Sequence, residues 1–364
     1  MPSRLSNLSE IERFILVELP NHPHDIARFT GERFGITRQA ISRHLRRLVT
    51  SGLLTASGET RQRQYGLVTL ASENAWLPMS TDLQEDQVWA EHVAPSLGGV
   101  AENVVDICRY GVTEIVNNAI DHSGSAQLGV IVSYKATEIS IMIVDEGIGI
   151  FRKIKEECGL DDERHAILEL TKGKLTTDPD RHTGEGIFFT SRMFDSFGIL
   201  SGVLWIGCRR GGKDWLLENR DHPRPGTSVH LKISPFSAHT TSEVFDHYAN
   251  EQDDYAFSRT HIVVALAQQC QADEKLVSRS QARRVMDRLD KFREVVLDFG
   301  GVAEIGPAFA DDIFRVFANR HPDIRLRPLN MTDSVARMVR RAFANREGQA
   351  SQGRDDAAAP AADQ

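Results

Sequence analysis

The amino-acid sequence predicts a multidomain α+β protein in which differently built modules follow one another. The chain has 364 residues, which is longer than a typical single domain. Its charge is unevenly divided: residues 1–66 contain ten arginines, no lysine and six acidic residues, a formal charge of +4, whereas the whole chain carries −8 and the remainder therefore −12. Helical periodicity, strand-like alternation and glycine-rich turns succeed one another along the chain.

Composition and cysteine usage indicate a soluble protein of the cytoplasm. Apolar residues make up 41% of the chain and charged residues 26%, which is ordinary for globular domains. The four cysteines show no metal-like spacing, and we interpret them as reduced thiols. No apolar run approaches the length of a membrane span and the N-terminus does not resemble a signal peptide, so we expect no membrane partner.

The stretch from residue 114 to residue 123 belongs to a predicted helix with a packing face and a chemical face. Glu114, Asn118 and Asp121 share one stripe of this helix. A side-chain amide oxygen suits Mg²⁺, which takes its other ligands from water and nucleotide phosphates. A carboxylate one turn away can orient or deprotonate the group that attacks a phosphate. The packing face consists of Val104, Cys108, Val112, Ile115 and Ala119.

Two glycine motifs farther along the chain are expected to form one site together with this helix. The first, Asp145-Glu-Gly147-Ile-Gly149, follows a strand-like run, so Asp145 can accept a hydrogen bond from an exocyclic amine at the end of a strand. Gly147 and Gly149 would let a flat ring and a sugar approach the backbone. The second, Gly184-Glu-Gly186, opens a helical run whose N-terminus would favour phosphate. Together these residues predict an adenine-nucleotide site.

These motifs carry a resemblance to a known family. Glu114-x-x-x-Asn118, Asp145-x-Gly147-x-Gly149 and Gly184-x-Gly186, in this order, resemble the N, G1 and G2 boxes of the GHKL family. That family unites histidine-kinase ATPase domains, gyrase-type ATPases, heat-shock chaperones and anti-sigma-factor kinases. The resemblance implies a Bergerat-type α/β sandwich over residues 99–237, with ATP and Mg²⁺ as cofactors.

The resemblance also implies a role for individual residues. Asn118 would hold Mg²⁺, Glu114 would be the catalytic residue that serves the attacking group, and Asp145 would recognise adenine. Gly226-Thr227 resembles the late Gly-Thr of the family, which would place Thr227 near Asp145.

Residues 151–183 are rich in Lys, Asp, Glu and Thr, and in this position the family keeps its mobile ATP lid. The resemblance therefore makes Lys172 and Lys174 candidate phosphate contacts, with Thr183 beside them. Asp121 is also included among the nucleotide-binding candidates, although related families carry a basic residue at its position.

The basic N-terminal module is predicted to contain three helices and a hairpin, with helices over residues 8–19 and 25–34. Thr37 is the expected N-cap of the third helix, which runs to about residue 49. Ile41, Leu45 and Leu48 are expected to face inward. The polar residues expected to face outward are Arg38, Gln39, Ser42, Arg43 and Arg46, and the following hairpin carries Arg61 and Arg63.

This pattern resembles the winged helix-turn-helix of bacterial transcription regulators, and we assign it to residues 1–70. Such a recognition helix lies in the major groove of double-stranded DNA, where Arg and Gln can contact base edges, while a basic wing meets phosphate. Winged helices also serve as protein-docking modules, which is the alternative interpretation. Residues 71–98 change in composition and are predicted to bridge this module to the next one.

The C-terminal third, residues 255–346, is predicted to be a small α/β domain. Strands are expected over 261–267, 294–299 and 324–329, and helices over 280–292, 307–317 and 332–343. Residues 296–311 resemble the strand, turn and helix of STAS domains and their STAS-like relatives, the antagonist partners of anti-sigma-factor kinases. In the antagonists this turn carries a phosphorylated serine, but here Gly306-Pro307-Ala308-Phe309 offers no hydroxyl. We therefore expect a structural or dimerising module, followed by a disordered tail over 347–364.

Two functions follow from these expectations. In the first, a DNA-binding transcription regulator uses Mg²⁺ and ATP to set its domain arrangement. In the second, the central domain is a serine/threonine kinase of the anti-sigma type that acts on a regulatory protein partner. The first function is favoured because a predicted DNA-binding domain is fused to the predicted ATP site. The sequence does not exclude a homodimer.

Overall fold

The computed structural model describes residue 5 and residues 7–59, 63–175, 183–210, 214–218, 223–249, 257–270 and 275–357, with side chains as far as residue 346. Within these ranges the chain forms sheets of two, seven and three strands, each with its own helices. The predicted mixed α/β multidomain architecture is confirmed at this level. None of the described helices is both long and apolar enough to cross a membrane.

The N-terminal unit consists of three helices and a two-stranded antiparallel sheet. Thr37 caps the third helix by accepting a hydrogen bond from the backbone nitrogen of Ala40, as its residue type predicts. Ile41, Leu45 and Leu48 are each at most 2% exposed, so the predicted inward face is buried. The elements are α1 (Glu10–Glu18), α2 (Ile26–Phe34), α3 (Arg38–Thr50), β1 (Leu54–Ser57) and β2 (Gln64–Leu67).

The segment predicted to bridge two modules is instead largely part of the central unit. Strand β3 (Thr69–Pro78) pairs along its length with the next strand of the large sheet. Only Val68 separates β2 from β3, so the hairpin of the N-terminal unit runs directly into the edge of that sheet. Trp89 lies farther along the predicted bridge and is 6% exposed, because it packs into the core. The change in composition predicted a bridging segment, but the alternating residues of β3 belong to an edge strand with one exposed face.

The central sheet is antiparallel throughout, with the strand order β3-β4-β5-β9-β6-β7-β8. Strand β5 lies beside β9, so Asp145 at the end of β5 faces Thr227 of β9 in the register. This pairing joins two motifs that are far apart in sequence. The remaining strands are β4 (Gln127–Lys135), β5 (Glu138–Asp145), β6 (Ser196–Gly202), β7 (Leu204–Arg209), β8 (Trp215–Glu218) and β9 (Arg224–Ile233).

Helices cover the central sheet and carry the other motifs. The longest of them, α5, buries Val104, Val112 and Ile115, so the predicted packing face is correct. A short π-helical and a 3₁₀ segment over residues 89–97 precede α5. The helices are α4 (Glu85–Val88), α5 (Glu102–His122), α6 (Ile150–Cys158), α7 (Glu163–Lys172), α8 (Gly186–Met193) and α9 (Thr241–Tyr248).

The C-terminal unit has a parallel sheet with the order β10-β11-β12. The strand predicted over 261–267 ends at Val263, and the chain continues as a helix, so this prediction is wrong in its second half. Short apolar runs fit a buried helix as well as a strand, which explains the error. The elements are β10 (Arg259–Val263), α10 (Val264–Cys270), α11 (Arg279–Met286), β11 (Glu294–Asp298), α12 (Pro307–Asp311), α13 (Ala318–Arg320), β12 (Arg325–Leu329) and α14 (Asp333–Ala357).

The last helix continues farther than the sequence predicts. Backbone of α14 is helical as far as Ala357, whereas composition predicts a disordered tail from residue 347. The stretch contains the helix formers Gln349, Ala350, Gln352 and Arg354, although Gly348 and Gly353 have a low helix propensity. Residues 358–364 lie outside the described part of the chain.

Glu12 fastens α1 to α3 in the N-terminal unit. Its side chain is 0% exposed, and its Oε1 lies 3.3 Å from Nδ1 of His44 and 3.5 Å from Nη1 of Arg47. Burial opposes ionisation of Glu12, but hydrogen bonds from Ser9 and His44 and the charge of Arg47 outweigh it and lower the pKa. The carboxylate therefore connects the first helix to the third.

Replacing Glu12 by Gln should lower the free energy of unfolding by about 1 to 3 kcal/mol at neutral pH, because charge-assisted hydrogen bonds are lost in a buried place. A lowered pKa means that the stabilisation is complete above the ordinary value of 4.5 and is lost as the pH falls through the folded-state pKa. Urea unfolding of both proteins from neutral pH to about pH 3 measures this. A difference that does not shrink in acid would contradict the role of the charge.

Candidate functional site

A cavity of about 300 Å³ lies between the end of the large sheet and helices α5, α6 and α8. Its size is at the lower end of the range of about 300 to 1,000 Å³ for small-molecule sites. Most of the residues that the sequence predicts for a nucleotide site meet around it. Those that line the cavity are Glu114, Asn118, Asp145, Gly149, Thr183, Gly184, Gly186 and Thr227.

Asp145 forms one wall of the cavity and is 5% exposed. Its Oδ1 accepts hydrogen bonds from the backbone nitrogens of Gly147 at 2.9 Å and Thr227 at 3.2 Å. Burial raises the pKa of Asp145, while these backbone hydrogen bonds and the Thr227 hydroxyl act in the opposite direction. The side chain is thus held in one orientation at the end of β5. Its remaining acceptor capacity can serve a ligand in the cavity.

Thr227 joins Asp145 to the helix that follows it. The Thr227 hydroxyl accepts a hydrogen bond from the backbone nitrogen of Ile150 at 3.0 Å, at the start of α6. Gly226 precedes it with φ +70°, and a Cβ there would lie 1.9 Å from the carbonyl oxygen of Asp145. Only glycine fits this crossing. The predicted proximity of Thr227 and Asp145 is therefore present in the structure.

The opposite end of the cavity is formed by Glu114 and the beginning of α8. A Cβ on Gly186 would lie 1.9 Å from Oε2 of Glu114, so the carboxylate sits directly against the backbone at the start of that helix. Burial raises the pKa of the neighbouring Tyr110, and the charges of Glu114 and Glu185 add to this effect. Gly186 is needed here because the Glu114 side chain lies against its backbone. The motif Gly184-Glu-Gly186 alone does not reveal this contact.

Asn118 lies one turn after Glu114 on α5 and lines the same cavity. A carboxamide and a carboxylate are hard oxygen donors, and a Mg²⁺ site commonly uses few protein ligands together with water and phosphate oxygens. Among the described residues, no group of three or more His, Cys, Asp and Glu could hold a metal ion. Glu114 and Asn118 place two side-chain oxygen donors at the cavity.

Two candidate residues lie just outside the cavity. Asp121 is partly buried on α5, but it does not line the cavity. Gly147 supports the wall from behind, since a Cβ there would lie 2.0 Å from the carbonyl oxygen of Ser123. Gly147 therefore allows close packing of its backbone against Ser123.

The structure contradicts the prediction that Lys172 contacts phosphate. Lys172 is 1% exposed, and its Nζ bonds to Glu169 Oε1 at 2.6 Å and to two carbonyl oxygens of the C-terminal unit. Lys174 does not line the cavity either, and its Nζ donates to the carbonyl oxygen of Lys291 at 3.1 Å. Charged lysines in a lid-like segment suggested solvent exposure, but the C-terminal unit packs against this segment.

Lys153 was not predicted, yet it is the only lysine or arginine among the described residues that line the cavity. Its Nζ donates to the carbonyl oxygen of His122 at 3.1 Å and lies 3.6 Å from Oε1 of Glu157. His122 also lines the cavity, where α5 ends. One sequence feature could have identified Lys153, namely its position in the first turn of the helix that follows Gly149.

The candidate DNA-binding residues that the structure describes lie on α3 and beside β2. Arg38, Gln39 and Arg43 are exposed on α3, and Arg63 is exposed beside β2. The partly exposed Ser42 donates its hydroxyl to the carbonyl oxygen of Arg38 at 2.9 Å, so this donor is already used within the helix. Arg61 lies outside the described residues.

Comparison with known families identifies the type of domain at the C-terminal end of the structure. Residues 281–336 match the model of a STAS-like domain of unknown function (DUF4325). The matched span begins in α11 and ends in α14, so the chain contains a C-terminal STAS-like domain, as the sequence indicates. The match covers a minor part of the chain. The search of curated proteins returned no match.

Replacing Thr227 by Val should lower the free energy of unfolding by about 1 to 3 kcal/mol, because the backbone nitrogen of Ile150 loses its partner in a partly buried place. Thr113→Val is the matched control, since the Thr113 hydroxyl bonds only to carbonyl oxygens of its own helix turn. Denaturant unfolding of the three proteins measures both effects. Equal losses in the two variants would contradict the role given to Thr227.

Proposed function

We propose that the protein is a DNA-binding transcription regulator in which Mg²⁺ and ATP, bound at a GHKL-type site, control the domain arrangement. The observation that carries this proposal is the composition of one cavity. Asp145 is fixed at one wall, and Asn118 and Glu114 lie on α5 near the N-terminus of α8. A base-recognising carboxylate, a magnesium ligand and a phosphate-binding helix end are thereby brought to one place.

The order of the elements supports a Bergerat-type fold for the central unit. The helix with Glu114 and Asn118 precedes two antiparallel strands, and Asp145 ends the second of them. A helix opened by Gly186 follows, and the strand with Thr227 then returns to lie beside β5. Each box of the resemblance thus occurs on the kind of element on which the family carries it.

Charges around the cavity suit an anionic ligand that brings its own metal. Bound Mg²⁺ would neutralise charge on the phosphate groups and polarise them. Asn118 would hold the ion, and Glu114 would orient the attacking water or hydroxyl. Lys153 would supply a positive charge to the phosphates in place of Lys172 and Lys174, because those two side chains are directed at the C-terminal domain.

The N-terminal unit supports a winged helix-turn-helix. Three helices precede a two-stranded hairpin, and exposed arginines lie on α3 and next to β2. A helix of this kind can enter the major groove, while the hairpin meets the phosphate backbone. Because β2 continues into β3 after the single residue Val68, a displacement in the central sheet can be passed to the hairpin without an intervening linker.

The alternative function is a protein kinase of the anti-sigma type that phosphorylates Ser or Thr on another protein. Glu114 suits both functions, because it lines the cavity and could accept a proton from an attacking hydroxyl as well as from water. Incubation with γ-labelled ATP and candidate partner proteins separates the two functions. Label on a protein would support the kinase, whereas free phosphate or no turnover would support the regulator.

Asn118→Ala should abolish the Mg²⁺-dependent part of ATP affinity while changing the melting temperature little, because a carboxamide at a cavity adds little to the core. Asn74→Ala, at an exposed position on the edge strand β3, is the control. Calorimetric titration with ATP, with and without Mg²⁺, gives both affinities. Wild-type affinity in Asn118→Ala would contradict its role as a magnesium ligand.

Mg²⁺ with a non-hydrolysable ATP analogue should change the affinity for a selected DNA duplex by about 5- to 100-fold, and DNA should change the affinity for the analogue by the same factor. The reason is that a ligand shifts an arrangement only when it binds one form better than another. Log affinity should fall with log salt at a slope of about −0.9 per phosphate neutralised. Equal DNA affinities with and without the analogue would favour the kinase.

A further inference from the structure

The end of α7 and the residues after it separate the cavity from the STAS-like domain. Leu170 and Leu175 line the cavity, whereas Lys172 and Lys174, which lie between them in sequence, contact the C-terminal part of the chain. One short segment, residues 169–175, therefore has the cavity on one side and the STAS-like domain on the other. We call it the wall segment.

Lys172 fastens the wall segment to the STAS-like domain. Its Nζ bonds to Oε1 of Glu169 at 2.6 Å, to the carbonyl oxygen of Arg284 at 3.0 Å and to that of Asp287 at 2.9 Å. An ammonium group has three N–H donors, so these acceptors saturate it. The two carbonyls lie at the C-terminal end of α11, where helix carbonyls lack partners and the dipole favours a positive charge.

Further contacts hold the backbone on both sides of Lys172. The Thr260 hydroxyl of β10 donates to the carbonyl oxygen of Lys172 at 2.6 Å. Lys174 and Lys291 each donate a side-chain hydrogen bond to the backbone carbonyl of the other, at 3.1 and 3.3 Å. The Lys174 ammonium also lies 5.1 Å from the ring centroid of Phe292. The wall segment is thus bound to the C-terminal part of the chain through side-chain and main-chain groups.

This attachment favours two discrete states. Lys172 and Glu169 are 1% and 5% exposed and lie one turn apart on α7, so undocking leaves this ion pair together but takes the carbonyl oxygens of Arg284 and Asp287 away from a buried ammonium group. Leaving a buried donor without its acceptors is costly. Partial separation would bury the ammonium of Lys172 without its carbonyl partners, so a loosely attached domain is unfavourable. The STAS-like domain is then either docked with all contacts or undocked with Lys172 in water.

The docked state is also the one in which the cavity wall is complete. Leu170 and Leu175 line the cavity, and Lys172 between them is hydrogen-bonded to the STAS-like domain. The backbone of Leu175 supports Gly184, since a Cβ on Gly184 would lie 2.4 Å from the carbonyl oxygen of Leu175. Gly184 leads into α8, whose N-terminus faces the cavity. Docking therefore fixes the wall and the helix start in advance, which reduces the ordering cost of binding a ligand there.

We propose that the STAS-like domain is an internal partner of the nucleotide cavity, which docks on the wall segment through Lys172 so that docking and Mg²⁺-ATP binding strengthen one another. The choice of ligand rests on the proposed function, whereas the docking contact does not. By linkage, the factor by which docking improves ATP affinity equals the factor by which ATP improves docking. The C-terminal domain would then regulate the site, beyond the structural or dimerising role expected from the sequence.

The test uses the full-length protein and compares Lys172→Met with Lys275→Met. Lys275 also belongs to the C-terminal part of the chain, but it is exposed and pairs with Glu304, away from the wall segment. Thr260→Val is a milder second variant, which removes one hydrogen bond and leaves the ion pair intact. Hydrogen exchange over residues 169–175 and 284–291 reports docking without ligand, and calorimetry reports the affinity for Mg²⁺-ATP.

We expect Lys172→Met to speed exchange in both segments and to weaken Mg²⁺-ATP by about 5- to 50-fold, with a smaller change of the same sign in Thr260→Val. Lys275→Met should behave like the wild type, and Mg²⁺-ATP should slow exchange over residues 284–291 in the wild type. Faster exchange with unchanged ATP affinity would overturn the coupling, and unchanged exchange would overturn the docking role. A wild type that binds no adenine nucleotide would instead contradict the proposed function and leave the exchange test of docking in place.

Discussion

The junction between Asp145 and Thr227 is the constraint on which the candidate site depends. Neighbouring strands β5 and β9 place the two residues opposite each other, and the buried carboxylate accepts the backbone hydrogen of Thr227. Gly226 makes the crossing possible because no larger residue fits against the Asp145 backbone. Through its hydroxyl, Thr227 also sets the start of α6 at Ile150. The position of the cavity wall is therefore fixed by sheet register and not by a flexible loop.

The central unit that contains the cavity is connected to the N-terminal unit and to the STAS-like domain by two different kinds of contact. Towards the N-terminus the connection is covalent and short, since only Val68 lies between the hairpin and the edge strand of the sheet. Towards the C-terminus it is a set of hydrogen bonds: Lys172, which pairs with Glu169 within α7, donates to the carbonyl oxygens of Arg284 and Asp287 in the STAS-like domain. A change at the cavity can thus reach two other units of the protein. Such a position suits a ligand that controls domain arrangement.

The sequence predicts features that depend on neighbouring residues better than those that depend on distant packing. Local spacing correctly indicates the buried face of α3, and the paired motifs correctly bring Asp145 and Thr227 together. Local charge gives the wrong environment for Lys172, because the carbonyl of Arg284 that accepts from it lies 112 residues farther along the chain. Lys153 was overlooked for the same reason, since only the folded chain shows which lysine faces the cavity. Likewise, the change in composition over residues 71–98 predicted a bridging segment, and only the pairing of β3 with β4 shows that its first part belongs to the central sheet.

Calorimetric titration of the wild type and of Asp145→Ala with ATP and with GTP tests the central proposal most directly. If Asp145 recognises the exocyclic amine of adenine, the wild type should prefer ATP over GTP, and the substitution should weaken ATP by about 1.5 to 3 kcal/mol, the size of a hydrogen bond to a charged group. The preference for ATP over GTP should shrink in the variant. Equal affinities of the wild type for ATP and GTP, or an unchanged preference after the substitution, would contradict an adenine-nucleotide site at this cavity.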